Sequence, residues 1–290
     1  MSVKERDPLT GHLTTGHEWN GITELNTRVP RPVWFFIGLT AVWSLVIWIL
    51  LPAWPLLRTH TPGILGVDQR AKVAAQVAAA NVARSDWTDA IAAKSVGEIL
   101  ADPGLMAHVD QTAPALFGDN CAACHGADAK GGPGFPSLVD GDWLWGGDPD
   151  TVLETIRVGI NAPHPDTRTS QMLAFGKDGT LTHDQVLTVV QYVKSLSGGE
   201  ADPAAVAAGA AIFADNCASC HGDAAKGNPE LGAPNLTDTV WLYGGDEATL
   251  VRTVTYGRQG WMPSWEGRLT EVDRKILTSY LLQLGGKGKP

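Results

Sequence analysis

The sequence predicts a mostly α-helical chain in three parts: one N-terminal transmembrane helix, a helical spacer, and two small helical domains in tandem. Three observations carry this. A charge-free apolar run lies near the N-terminus, an alanine-rich stretch follows it, and the remainder repeats itself. The repeat is plainest where "DNCAACHG" at Asp119–Gly126 returns as "DNCASCHG" at Asp215–Gly222, the two copies holding all four cysteines of the 290-residue chain.

The apolar run is "VWFFIGLTAVWSLVIWILL", Val33 to Leu51. As a helix rising 1.5 Å per residue it covers about 28 Å, close to the roughly 30 Å hydrocarbon core of a bilayer. Trp34 and Trp54 stand near its ends, where interfacial tryptophans are found. A cleavable signal would have a basic n-region and a small-residue cleavage site directly after the run, and neither is present. Residues 1–32 therefore read as a polar tail, 33–51 as the anchor and 52–112 as linker and spacer. Within the spacer, "DQRAKVAAQVAAANVARSDWTDAIAAKSVGEIL" favours helix through its alanines, with a break expected near Ser85–Asp86. It lacks the aliphatic bulk for a core of its own, so docking on a membrane partner is the expectation, with a plain spacer as the rival.

The repeat defines domains at 113–199 and 200–290. "ALFGDNCAACHGADAKG" aligns with "AIFADNCASCHGDAAKG", and further on "DWLWGGD" aligns with "VWLYGGD". Thr155 and Gly159 match Thr253 and Gly257. Each copy closes on a helical pattern: Val186, Val189, Val190, Val193 and Leu196 in the first, Ile276, Leu277, Tyr280, Leu281 and Leu284 in the second. Phe117 with Tyr192, and Phe213 with Tyr280, are expected to pack the first helix of each domain on its last. At this size a lone apolar core is marginal, so something else is expected to fill the middle of each domain.

Cys-x-x-Cys-His supplies that filling. Two thiols one helical turn apart can each add across a vinyl group of one haem, and the next residue then stands beneath the iron. This reading gives Cys121, Cys124, Cys217 and Cys220 as attachment sites for two covalently bound haem c groups, with His125 and His221 as proximal ligands. A thioredoxin-like pair would need a βαβ context, and zinc would not explain a histidine directly after both pairs. Bacterial haem attachment of this kind is completed outside the cytoplasmic membrane, so the repeats are expected in the periplasm and the N-terminus in the cytoplasm.

The sixth iron position decides between electron transfer and gas binding. No histidine follows His221 and the only later methionine is Met262, which is therefore expected on the second haem. Met172 occupies the corresponding place for the first haem. An insertion, "APHPDTRT", precedes it and brings His164, while His183 follows; both stay open as rivals. Carbonyls of Pro136 and Pro234 are placed to accept the second N–H of each proximal histidine. Trp143, Trp145, Trp241 and Tyr243 read as pocket walls, and Met106 as packing.

Charge narrows the partners. The chain carries 31 acids and 22 bases for a net charge of -9. An acidic chain disfavours nucleic acid and suits a basic protein guest. There is no phosphate loop, G-x-S-x-G or H-E-x-x-H, so no catalytic site of its own is expected.

With "HEWNGITELNTRVPRPVWFF" before the anchor and two haem motifs after it, the chain resembles the dihaem CcoP/FixP-type subunit III of bacterial cbb3-type cytochrome c oxidase. The resemblance covers nearly the whole chain and departs mildly at Asn20, Thr27 and Pro32. It implies tandem class I cytochrome c domains with His/Met haems in a bacterial inner membrane. It also implies electrons received from a soluble or membrane-bound cytochrome c donor. These would pass by way of a monohaem subunit to the catalytic haem-copper subunit, which reduces oxygen to water. The alternatives are the cytochrome subunit of a periplasmic dehydrogenase, a haem-based gas sensor and a dihaem peroxidase.

Overall fold

A computed structural model describes residues 5–287. The chain forms two compact units, residues 1–82 and 83–290.

The first unit begins with a hairpin, β1 (Thr14–Trp19) and β2 (Ile22–Leu25). Asn20 and Gly21 form its turn, with φ of 51° and 83°. Two consecutive positive φ values are what a tight hairpin turn requires, and Asn-Gly is the dipeptide that supplies them most readily. The tail is thus structured where the sequence suggested only a polar lead-in. Helix α1 (Arg31–Leu50) follows, with Pro32 in its first turn and no buried residue. It is long and apolar enough to cross a membrane. A helix apolar on every side is either buried in a protein core or spans a membrane, and with no residue of α1 buried by protein its surface suits lipid.

Helix α2 (Gln69–Ala93) runs unbroken through Ser85 and Asp86, contrary to the expected break. Interior serine and aspartate each cost only a fraction of a kcal/mol, which the surrounding alanines offset. The stop comes at Ser95, which caps α3 (Val96–Leu100) in a reciprocal box with Glu98.

The second unit also holds α4 (Pro103–Asn120), α5 (Ala122–His125), α6 (Pro149–Val158) and α7 (His183–Leu196) from the first copy. The second copy supplies α8 (Pro203–Asn216), α9 (Ala218–His221), α10 (Glu247–Tyr256) and α11 (Glu271–Lys287). Their packing overturns the expected pairing. Helix α7 lies on α8 and α10, whereas α11 lies on α4 and α6. Tyr192 packs tilted against Phe213 at 5.3 Å and Tyr280 against Phe117 at 6.3 Å, the reverse of the expected partners. One core joins Phe117, Val152 and Ile156 to Trp265, Leu269, Leu277 and Leu281. The other joins Val186, Val189, Val190 and Val193 to Phe213, Leu250 and Val254. The boundaries 113–199 and 200–290 mark the sequence repeat, and the cores run across them.

The cause is local. Only the short connection Ser197–Asp202 separates α7 from α8, and helices so joined become antiparallel neighbours. Gly209 makes their close approach possible: a Cβ there would lie 2.6 Å from the Thr188 carbonyl and 2.8 Å from Tyr192 Cβ.

The spacer also finds a partner within the chain. Ile91, Ile99, Leu105, Met106, Val109 and Ala113 form a third core with Ile276 of α11. Lys275 donates to the Ala92 carbonyl at 2.8 Å, and Trp87 stacks on His108 at 4.9 Å. From Ala83 onward the spacer docks on the C-terminal helix of its own chain.

Gly209→Leu is expected to destabilise the second unit by about 1–3 kcal/mol through overpacking. Gly97→Leu, where a Cβ meets nothing within 4 Å, should be far milder. Paired thermal melts of the haem-loaded protein read the difference.

Candidate functional site

Each Cys-x-x-Cys-His motif sits where one helix ends and a single turn begins. The Cys121 N–H closes α4 on the Phe117 carbonyl, and α5 then carries Cys124 and His125. Cys217, α8 and α9 repeat the geometry, Cys217 bonding to Phe213. The turn puts both cysteines of a pair on one side with the histidine directly after them. Burial pushes the Cys121 and Cys217 thiols up to about 11, with the neighbouring cysteine adding to the shift. They remain protonated thiols at neutral pH.

The histidines are oriented as the sequence anticipated. His125 Nδ1 lies 3.0 Å from the Pro136 carbonyl, and His221 Nδ1 lies 3.0 Å from that of Pro234. A carbonyl only accepts, so Nδ1 carries the proton and Nε2 is left for iron. Burial lowers the pKa of each ring, against which the proline carbonyl works. Both therefore stay neutral and able to ligate. Gly227, at φ 81°, allows the aiming: a Cβ would lie 2.5 Å from the Ala233 carbonyl.

The two methionines cross between the copies. Met172 packs against the core that holds Cys217 and Ala218, and Met262 against the core that holds Cys121 and Ala122. Backbone pairs fix both. Met172 and Arg258 exchange N–H···O bonds of 2.8 and 3.1 Å, and Met262 and Ile160 exchange two of 2.9 Å. Trp143 lies against the Met262 core and Trp241 against the Met172 core.

The rival histidines are occupied elsewhere. His164 donates through Nε2 to Glu266 at 2.6 Å, while its Nδ1 accepts from the Asp166 N–H. His183 is the exposed first residue of α7.

Two positioning elements escaped the sequence reading. Asn161 Nδ2 donates to Gly260 O at 2.7 Å and to Ser170 O at 2.9 Å, tying together the segments that lead into Met262 and Met172. Glu266 joins the Met262 loop to α6, because Arg157 reaches Glu266, Glu154 and Asp166 at once. Neither was legible, since each bridges residues about a hundred positions apart.

Two Cys-x-x-Cys-His motifs with oriented histidines, each packed on a small helical core that also holds a methionine, define a protein of the c-type cytochrome class. The donor set fits haem: each motif offers a neutral imidazole and two thiols, one packed on the core and one exposed, and each core holds a thioether. The family model described as cytochrome c matches residues 111–197, and that described as cbb3-type cytochrome c oxidase subunit III matches 204–281. The N-terminal domain model of cytochrome oxidase-cbb3, FixP, matches residues 11–58, which include the hairpin and α1. The chain is 50% identical over 285 residues to a cbb3-type cytochrome c oxidase subunit FixP from Bradyrhizobium sp. (strain ORS 278), covering 97% of this chain and 98% of the relative. It is 45% identical to a CcoP subunit from Azospirillum sp. (strain B510), covering 99% of both. A CcoP subunit from Cereibacter sphaeroides is 44% identical, again over 99% of both chains. This chain belongs to the FixP/CcoP family of cbb3-type cytochrome c oxidase subunits.

The Glu266 tie has a pH signature. Hydrogen bonds from His164 and then Arg157 hold its carboxyl below the ordinary 4.5. A carboxylate so depressed contributes stability above its unfolded pKa and loses it as pH falls through the folded value. Glu266→Gln should lower the melting temperature at pH 6–7, and its difference from the parent should shrink as pH falls below 4.5 and vanish only below the depressed folded value. Melts across that range check this.

Proposed function

We propose that this chain carries two haems and relays electrons into the haem-copper subunit of a cbb3-type oxidase, from a cytochrome c donor and by way of a monohaem subunit. The haems supply the one-electron redox chemistry. The protein's part would be to offer each haem a neutral imidazole and a soft thioether, and to keep water from it with Trp143 and Trp241. A proximal histidine whose Nδ1–H is held by a carbonyl keeps one orientation and gains basicity. Rigid ligands require little rearrangement when the charge changes, which suits a carrier better than a catalyst.

The packing supports ligands exchanged between copies. Met262, expected from sequence on the second haem, pairs with His125 on the first, and Met172 pairs with His221 on the second. The observation that carries this is the placement of each methionine in the core of the other copy's cysteines. The test uses a chain with Cys121→Ser and Cys124→Ser, so that only the second haem is attached. In that background Met172→Leu should abolish the far-red sulfur-to-iron band and Met262→Leu should spare it. The opposite result restores pairing within each copy.

Helix α1 spans the inner membrane in this reading, with the tail in the cytoplasm and the second unit in the periplasm, where haem is attached. The relay itself is tested on the native complex, solubilised gently and purified through a tag on this chain. Haem b, copper and cyanide-sensitive oxygen uptake with reduced cytochrome c are expected. A flavin or quinone-cofactor dehydrogenase in their place would overturn the oxidase reading.

A further inference from the structure

We propose that the segment between α1 and α2, residues 51–67, is a second membrane element: a closed elbow whose apolar side chains seat in the lipid boundary at the far end of α1. The inference rests on the reading that α1 spans a membrane.

The composition of this segment is wrong for a connection running through water. "LPAWPLLRTHTPGILGV" carries one charged residue, Arg58, with His60 close by, and charges resume only at Asp68. A connection in water is expected to be polar. Here Leu56, Leu57, Ile64 and Leu65 are all exposed, Leu57 completely. Four exposed aliphatic side chains within one short segment call for an apolar neighbour that the protein itself does not supply.

The backbone of the elbow closes on the end of α1. A helix end leaves carbonyls that side chains or water normally satisfy. Here the chain turns back, and the Ile64 and Leu65 N–H groups donate to the Ile49 and Leu50 carbonyls, both at 3.0 Å. Gly63 permits the approach: its φ is 71°, and a Cβ there would lie 2.5 Å from the Leu50 carbonyl oxygen. The outer part is closed as well. Leu56 N–H donates to the Thr59 carbonyl at 2.6 Å and Thr61 N–H to the Trp54 carbonyl at 3.0 Å. The Trp54 backbone N–H donates in turn to the Thr61 hydroxyl at 3.0 Å. Close to hydrocarbon each unsatisfied backbone group is costly, so a connection that bonds to itself and turns aliphatic side chains outward suits the lipid boundary.

The surroundings favour lipid as the occupant. Helix α1 has 20 residues and is about 30 Å long, so its last turn already reaches the edge of the hydrocarbon core. An elbow bonded to that turn stays at the same depth. Trp54 packs edge-on against Trp48 of α1, with ring centroids 4.7 Å apart, and remains exposed, as a tryptophan at a membrane boundary does. Arg58 is exposed directly beside Leu57 and is long enough to reach lipid phosphates while its neighbours stay in the apolar layer. The elbow thus continues the apolar surface of α1 and ends it in a cation. An anchor of this form resists sliding of α1 along the membrane normal and fixes the level at which the chain enters water.

The test uses the purified full-length chain in phosphatidylcholine vesicles. Single cysteines are introduced as Leu57→Cys and Ile64→Cys in the elbow, Val42→Cys in the middle of α1 and Asp110→Cys on the exposed side of α4. Each is labelled with an environment-sensitive fluorophore, and the parent chain serves as the blank. Doxyl-labelled lipid and aqueous iodide are then compared as quenchers. Lipid quenching at Val42 tests the membrane reading by itself. The Leu57 and Ile64 probes should be quenched by doxyl lipid and reached by iodide about tenfold less often than the Asp110 probe, since an anion is excluded from an apolar layer. If Val42 is lipid-quenched while Leu57 and Ile64 behave as Asp110 does, the elbow is a linker in water and the proposal is overturned. Probes at Leu57 and Ile64 that are open to iodide in vesicles and shielded only in the native complex would make another subunit the occupant, which also overturns it. Iodide access at Val42 as well would bring down the membrane reading and the elbow together.

Discussion

The short connection Ser197–Asp202 between α7 and α8 governs this molecule. It is too brief to let α7 fold back on the copy that precedes it while α8 begins a new domain. The two helices meet as a hairpin, and α7 is drawn into the second copy's core. The first copy is left without its closing helix, and α11 fills the vacancy. Ile276 and Leu277 of α11, each 1% exposed, are then buried as deeply as Val189 and Val190 of α7, each 0% exposed. A repeat that reads as two consecutive domains thus becomes two cores, each completed by the other half.

Exchange of the helices brings exchange of the loops ahead of them. Met172 precedes α7 and Met262 precedes α11, so each methionine travels with its helix. The loops do not cross freely; they bond where they pass. Ile160 pairs with Met262, Arg258 with Met172, and Asn161 reaches Gly260 and Ser170. Ser264 and Glu266 add bonds to the Arg157 carbonyl at the end of α6. Both sulfurs therefore stand on one shared scaffold, and a displacement at either is felt at the other. For the two-haem carrier proposed above, this would be a stiffer arrangement than two beads on a linker.

The parts of the site set by local chemistry were legible. The attachment motifs, the histidines and the Pro136 and Pro234 carbonyls lie within about fifteen residues of one another in each copy, and short-range geometry fixes them. The buried faces of α7 and α11 were legible too, because helical periodicity shows which residues are buried. It does not show what they are buried against, which is why Tyr192 and Tyr280 were assigned to the wrong phenylalanines. The Asn20-Gly21 turn was readable from its dipeptide and was passed over because the tail is polar. Ser85 misled for the opposite reason: a good capping residue does not end a helix when alanines on both sides favour continuing it.

The insertion before Met172 shows how a duplicated fold can be repaired after its symmetry is lost. Where the second copy sets Arg258 on Thr253 and over Tyr243, the first copy has Ile160. The segment "APHPDTRT" answers this by looping out and returning alongside Gly159–Asn161, which sets Arg168 on Thr155 and over Trp145. On its way it places His164 and Asp166 against the Glu266–Arg157 cluster, so the loop is held at its tip as well as its base. A segment retained only as tolerated surface would not need fastening at both ends. Its fastening points are the Met262 loop and the end of α6, the two elements that shape the first pocket. The departure from the repeat is therefore better understood as part of that pocket than as an ornament on it.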